Sequence, residues 1–396
     1  MSDISLSQRT QSIKPSPTLA VTARAAELRA EGKDIIGLGA GEPDFDTPEH
    51  IKAAAIESLN KGQTKYTAVD GTVELKNAII DKFKRENNLE YNSNQVLVSC
   101  GAKHSLYNLF QAILNPGDEI IIPAPYWVSY PDMAKLAGAE PVIIKTNIDD
   151  HFKITPNKLR GAITDKTRLL VFNSPSNPTG VSYNKEELVE LGKVLVEFPD
   201  VLIVTDDIYE HILWGQDKFI NIVNACPELY DRTIVVNGVS KAYSMTGWRI
   251  GYVGGPESIV KGMKKIQSQS TSNASSMAQA AAIAALNGPQ TYIEESTGVF
   301  KERHDFVLTS LQQIDGINCI PSEGTFYIFP DMNGLIERLD GISNDIELAE
   351  FFLEKAEVAM VPGSAFGAPG CMRISFATSM ENLEKSIERI KKSLNA

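Results

Sequence analysis

From Gln95 onward, short apolar runs recur along the chain, and most are separated by stretches long enough to hold a helix. The runs predict strands near 95–99, 119–122, 141–145, 168–172, 201–205, 233–237 and 250–254. One of them, Val201-Leu202-Ile203-Val204-Thr205, is nearly unbroken in apolar residues rather than alternating with polar ones. Strands of this kind belong in a sheet covered on both faces, so the pattern predicts an α/β fold with a mostly parallel seven-stranded sheet.

The flanking segments predict helices and turns. Val21 to Arg29 reads as a helix ended by Gly32. Thr47 is a candidate N-cap with Pro48 at the first helical position, and Gly62 closes that helix. Asp70-Gly71 makes a turn, and Thr72 caps a second helix running to about Glu86. Gly288-Pro289 marks a boundary, after which Tyr292 to Leu311 forms a long helix. Glu323 to Phe329 and Met372 to Phe376 alternate like strands. We therefore expect a large domain over 48–288 and a smaller α+β domain over 289–396. Residues 1–47 would supply an N-terminal arm, Ser/Thr/Pro-rich over 1–18, and part of the smaller domain.

Composition narrows the function classes. A chain of 396 residues holds roughly two domains. A net charge of −12 argues against a nucleic-acid partner. Cys100, Cys226, Cys319 and Cys371 are scattered with no C-x-x-C spacing, which suits a reducing compartment better than a disulfide or zinc framework. The first residues are polar and lack a signal-peptide core. The longest small-apolar run, Ala280 to Leu286, is too short to cross a membrane. A cytoplasmic protein with no membrane partner and no metal is expected.

The candidate chemistry centres on Asn237-Gly238-Val239-Ser240-Lys241-Ala242-Tyr243 and its continuation through Arg249. Lys241 falls on a loop between two predicted core strands, with Arg249 at the mouth of the second. Burial disfavours the ammonium form and makes such a lysine a usable nucleophile. Arginine offers a planar fork for phosphate. A lysine beside a phosphate clamp is what pyridoxal 5′-phosphate requires, since the lysine holds its aldehyde as a Schiff base.

The stretch Ser-Lys-Ala-Tyr-Ser-Met-Thr-Gly-Trp-Arg-Ile-Gly-Tyr resembles the cofactor-lysine signature of class I aminotransferases, and the likeness extends over nearly the whole chain. It is nearest to the bacterial aspartate aminotransferase subgroup, which includes aspartate/prephenate enzymes, and implies a fold-type-I pyridoxal phosphate transferase. By that resemblance Gly101 and Ala102 bind the cofactor phosphate with backbone amides, Arg249 clamps it, and Trp127 stacks on the ring. Asn177, in Asn-Pro-Thr-Gly, bonds the phenolic oxygen and the substrate carboxylate. Asp206 pairs with the ring nitrogen and Tyr209 donates to the ring oxygen. Gly41 approaches the substrate carboxylate, Arg373 grips it, and Tyr66 reaches the phosphate of a second subunit in a homodimer with shared sites. Asp207 stands where the family usually has Glu, and no chemical consequence is expected.

The resemblance implies transfer of an amino group from L-aspartate to 2-oxoglutarate by a ping-pong route through pyridoxamine phosphate. The stretch Ser268 to Ser276 has no cation for the distal carboxylate. Lys103 is the first candidate for that charge. Lys14 on the arm is the second, and in the subgroup a lysine there accompanies activity on prephenate. Three rivals stand beside this reading. An aromatic or alanine aminotransferase would share the cofactor. A cofactor-sensing regulator would need a basic DNA-binding domain that residues 1–18 cannot supply. A nicotinamide dehydrogenase would need a full glycine fingerprint, whereas Gly37-Leu38-Gly39-Ala40-Gly41-Glu42-Pro43 lacks the third glycine and the helix start.

Overall fold

The seven apolar runs form one sheet. A two-residue strand, β1 (Ile36–Gly37), precedes β2 (Val96–Ser99), β3 (Glu119–Ala124), β4 (Glu140–Lys145), β5 (Thr167–Asn173), β6 (Leu202–Asp206), β7 (Thr233–Gly238) and β8 (Gly251–Gly254). Four short strands follow: β9 (Tyr327–Ile328), β10 (Val358–Ala359), β11 (Val361–Pro362) and β12 (Met372–Ser375). This is a computed structural model, and it describes residues 5–13, 15, 17–215 and 218–395.

The sheet order is β2-β8-β7-β6-β5-β3-β4. Neighbours from β7 through β4 run parallel, while β8 is antiparallel to both β7 and β2. The reversal has a local cause. The connection between β7 and β8 contains one 3-10 turn, Thr246–Trp248, and no crossover helix, so the chain returns beside the strand it has just left. That connection carries Lys241. It lies at the C-terminal ends of the parallel strands, where open α/β sheets place their sites.

Both faces of the sheet are buried. Val235 packs with Ile203, Leu188 and Ala281 on one side, while Ile234 and Val236 pack with Leu109 and Met263 on the other. Each fully buried Val, Leu or Ile side chain contributes about 1.5–3 kcal/mol, which makes the sheet a stiff platform for the loops at its edge. A separate core joins Ile36 and Leu38 to Phe300 and Leu311 of the helix Thr291–Gln312, and to Phe326, Ile374 and Leu383. β1 pairs with β10, and β9, β11 and β12 form a three-stranded sheet. Ile208, Tyr209 and Ile212, just past the end of β6, insert into this second core.

Several local expectations change. The first long helix spans Pro17–Ala30, so it takes in the end of the supposed arm, and Gln8–Gln11 adds a short helix before it. Thr47 does not cap the helix Glu49–Asn60, whose N-cap is Pro48 with no side-chain hydrogen bond. Its hydroxyl instead donates to Ser244 O at 2.7 Å and accepts from Trp248 Nε1 at 3.0 Å, which ties the helix start to the Lys241 loop. The segment 323–329 is not an alternating strand. Gly324 to Phe329 are all buried, Thr325 turns with φ 66, and only Tyr327–Ile328 pairs with β12. Thr72 does cap Val73–Asn87, accepting from Leu75 N at 3.3 Å. Among the described residues no helix is long and apolar enough to cross a membrane.

Candidate active site

The ends of β5, β6 and β7 open into a cavity of about 420 Å³. Its walls include Gly41, Ala102, Lys103, Trp127, Asn177, Asp206, Tyr209, Lys241, Arg249 and Arg373, so residues predicted from seven separate stretches of chain meet in one place.

Lys241 Nζ donates to Gly41 O at 2.5 Å. Its surface is partly accessible because it faces the cavity, yet the protein atoms around it make burial the main influence on the ammonium. Burial lowers its pKa to about 8; Glu42 opposes the shift, and Arg373 and Arg249 reinforce it. About one lysine in ten is then a free amine at pH 7, far more than for an unperturbed lysine.

Asp206 ends β6 and is 5% exposed. Its Oδ2 accepts from Tyr130 Oη at 2.7 Å, while Oδ1 is buried with no partner. Burial raises its pKa to about 6, and the Tyr130 hydrogen bond works against that rise. A buried carboxylate oxygen without a donor is costly unless a ligand supplies one. The adjacent Asp207 turns away: it bonds Thr205 and Asn221 side chains, and burial followed by Glu210 pushes its pKa up to about 8. The two carboxylates therefore do not converge on a metal. Glu86, Glu210 and His211 do bring ligand atoms together, but buried Lys82 Nζ already bonds Glu210 there.

An anion cradle lies opposite. Gly101, with φ 89, is the N-cap of the helix Ala102–Ile113, and a Cβ on it would strike the Arg249 guanidinium. Glycine is what lets that guanidinium lie against the helix start. Arg249 itself is in the left-handed region at φ 58, and it donates to Thr246 O at 2.8 Å and Cys100 O at 3.3 Å. Neither acceptor is charged. A helix N-terminus with an adjoining guanidinium is an anion site.

Arg373 in β12 is 3% exposed. It donates to Asn177 Oδ1 at 3.0 Å and Gly39 O at 2.7 Å, and its Nε has no partner. The guanidinium carbon lies 4.5 Å from the Tyr327 ring centroid and 4.9 Å from that of Phe366. Among the described residues no carboxylate is within ion-pair distance of it. A buried cation bonded only to neutral oxygens is set up to receive an anion, because an unpaired buried charge is otherwise expensive.

Trp127 packs edge to face on Tyr130 with centroids 5.3 Å apart, and Lys103 Nζ lies 4.9 Å from the Trp127 centroid. Burial and the Arg249 charge both lower the Lys103 pKa. Tyr209 shares a 3.0 Å hydrogen bond with Tyr327 Oη. Tyr66 stands apart from this cavity on the surface, 90% exposed. Lys14 lies outside the described residues. Tyr130 and Tyr327 gave no functional signal in the sequence, since buried tyrosines after strands are common and their partners are remote.

The arrangement fits pyridoxal phosphate on observations of this chain alone. Lys241 offers a neutralisable amine, Asp206 Oδ1 an unpartnered acceptor for a ring N–H, and the Gly101 helix start with Arg249 a phosphate cradle. Fold and site together define a fold-type-I pyridoxal phosphate transferase.

The chain belongs to the class I and II aminotransferase family, whose pattern it matches over residues 33–390. It is 60% identical over 390 residues to the aspartate/prephenate aminotransferase of Nitrosomonas europaea, covering 97% of this chain and 98% of that one. Identity to the aspartate aminotransferase of Bacillus subtilis is 51% over 387 residues, or 98% of each chain. The crystal structure of the aspartate aminotransferase from Rhizobium meliloti superposes with a TM-score of 0.96 at 47% identity, covering 99% of both chains. That of Thermus thermophilus with maleate gives 0.93 at 43% identity, covering 98% of this chain and 100% of that one.

Proposed function

We propose that this chain is an aspartate aminotransferase, converting L-aspartate and 2-oxoglutarate to oxaloacetate and L-glutamate, with prephenate as a further amino acceptor. The observation that carries the proposal is the meeting of Lys241, the free Asp206 oxygen and the anion-seeking Arg373 in one cavity. The relatives named above support the substrate, and a neighbour determined with maleate supports a dicarboxylate.

Pyridoxal phosphate supplies an aldehyde that condenses with amines and a ring that withdraws electrons. Lys241 would hold it, with Asp206 at the ring nitrogen, Tyr209 and Asn177 at the ring oxygen, Trp127 against the ring, and Gly101, Ala102 and Arg249 at the phosphate. Arg373 and Asn177 bind the substrate α-carboxylate beside the Gly41 backbone. With the cofactor bound and a substrate amine in place, Lys241 Nζ would be the base that takes the Cα proton and, as an ammonium, the acid that returns a proton. Its lowered pKa suits both roles. Amino donor and acceptor use the same site in turn, so ping-pong kinetics follow.

The chain would act as a homodimer in which Tyr66 completes the neighbouring site. Tyr66, Ile56, Leu59 and Val73 are all exposed between residues 56 and 73, which supports a partner surface there. The two cores support a large domain over 48–288 and a small one formed by 289–396 with part of 1–47, bridged by the Arg373–Asn177 contact. Four free cysteines suit the cytoplasm. A panel of amino donors and oxo acids, read by the visible absorbance of the holoenzyme, tests the function. Aspartate and glutamate should each shift the band; a response to aromatic or neutral donors alone would overturn the substrate assignment.

A further inference from the structure

Tyr130 is a residue of the cavity wall that neither the sequence pattern nor the proposed chemistry has used. It occupies the first turn of the helix Ser129–Leu136, is 2% exposed, and donates to Asp206 Oδ2 at 2.7 Å. Its ring packs edge to face on Trp127. Tyr209, another phenol of the cavity wall, shares its hydrogen bond with Tyr327 instead. A carboxylate has two oxygens and can turn about its bond to Cβ. Here one oxygen is tied down by a buried phenol and the other, Oδ1, has no partner at all.

We propose that Tyr130 is a positioning residue that acts through Asp206: by occupying Oδ2 it leaves Oδ1 as the single acceptor presented to the cavity and keeps the carboxylate ionised. The proposal rests on the reading of Asp206 as the partner of the cofactor's ring nitrogen.

Burial holds the Tyr130 phenol protonated at every working pH, with Asp206, Tyr209 and Asp207 adding to that effect. While Asp206 is ionised, the Tyr130 hydroxyl donates to Oδ2, and Oδ1 is the oxygen left without a partner. The groups acting on Asp206 are few. Desolvation raises its pKa, whereas the Tyr130 hydroxyl, the Ile208 backbone N–H and the Lys241 charge lower it. Removing the hydroxyl alone should raise it further, by about one to two pH units for a hydrogen bond to a charged group.

Tyr130→Phe, Asp206→Asn and the double variant of the full-length chain test this. The carboxyl titration of Asp206 in the cofactor-depleted protein is read by infrared or carbon NMR difference against Asp206→Asn, and kcat and KM are measured on the loaded enzymes. Tyr130→Phe should move the titration upward and lower kcat about ten- to a hundredfold, with little change in KM for aspartate. The double variant should be no slower than Asp206→Asn, since a residue acting through Asp206 has nothing left to act on. Similar thermal midpoints for Tyr130→Phe and the unaltered chain would support positioning over packing. An unmoved titration, or the same further loss of kcat on the Asp206→Asn background, would overturn the proposal. If Asp206→Asn itself left kcat unchanged while the titration still shifted, the reading of Asp206 would fall, and the catalytic role of Tyr130 with it.

Discussion

Arg373 donates a 3.0 Å hydrogen bond to Asn177 across 196 positions of sequence, joining β12 to the turn that follows β5. The contact brings two candidate carboxylate-binding groups to one point between two cores. Replacing Arg373 by alanine should lower kcat/KM by about a hundredfold or more for every amino acid, whatever its side chain, since at least two charge-assisted bonds of about 1.5–3 kcal/mol are lost. Steady-state kinetics on aspartate and phenylalanine check this. A loss confined to aspartate would place Arg373 at the distal carboxylate instead.

Lys241→Ala should keep the fold and lose the covalent adduct. Borohydride reduction followed by mass spectrometry should find the pyridoxyl group on Lys241 in the unaltered chain and on no lysine in the variant. Its pH dependence has a definite sign. Burial lowers the lysine pKa to about 8, so the free amine accumulates as pH rises towards that value. Uptake of pyridoxal phosphate by the cofactor-depleted chain should accelerate with pH and level off above about 8. A rate still climbing steeply near pH 10 would mean an unperturbed lysine.

Asp206→Asn keeps the shape of the side chain and removes its charge. Cofactor binding should persist while amino transfer slows by several orders of magnitude, the loss of a preorganised charge at a buried position. Single-turnover absorbance with aspartate measures it. Near-normal turnover would show that the ring nitrogen has another partner.

Lys103 lies over Trp127 at the cavity edge, and among the described residues it makes no ion pair. Lys103→Ser should cost aspartate and 2-oxoglutarate roughly ten- to a hundredfold in kcat/KM and spare phenylalanine. Equal losses on dicarboxylic and monocarboxylic substrates would make Lys103 a phosphate ligand.

Tyr66 tests the shared site. Mixing inactive Lys241→Ala chains with an inactive Tyr66 variant should restore part of the activity, because one site of each hybrid would be intact. Subunit exchange, followed with a mass-tagged chain, must be shown in the same samples. Exchange without recovery of activity would place the function of Tyr66 within its own chain.

Much of this protein can be read from local patterns. All seven predicted strands form the sheet, and the loop carrying Lys241 falls between β7 and β8, because unbroken apolar runs demand burial and glycine-rich breaks end them. The Ser-Lys motif, Asn-Pro-Thr-Gly and the Asp206 strand end were joined into one site by their resemblance to the aminotransferase family, and Lys241, Asn177 and Asp206 line one cavity. Patterns of this kind are short-range, and they fail where a distant partner competes. Thr47 has the signature of a helix cap, yet Ser244 and Trp248 claim its hydroxyl. Glu323 to Phe329 alternates in sequence, yet Thr325 and Tyr327 are buried along with the apolar positions and Thr325 turns the backbone.

The electrostatic character of the site was decided by tertiary structure. Asp206 Oδ1 is left unpartnered while Tyr130 holds Oδ2, and the hydrogen bonds of Arg373 go to neutral oxygens of Asn177 and Gly39. Residue types and their spacing determined which groups were available. Which of them lost water, and which were left without a partner, depended on contacts between segments far apart in the chain, and desolvation is a property of that assembled surrounding rather than of any local stretch.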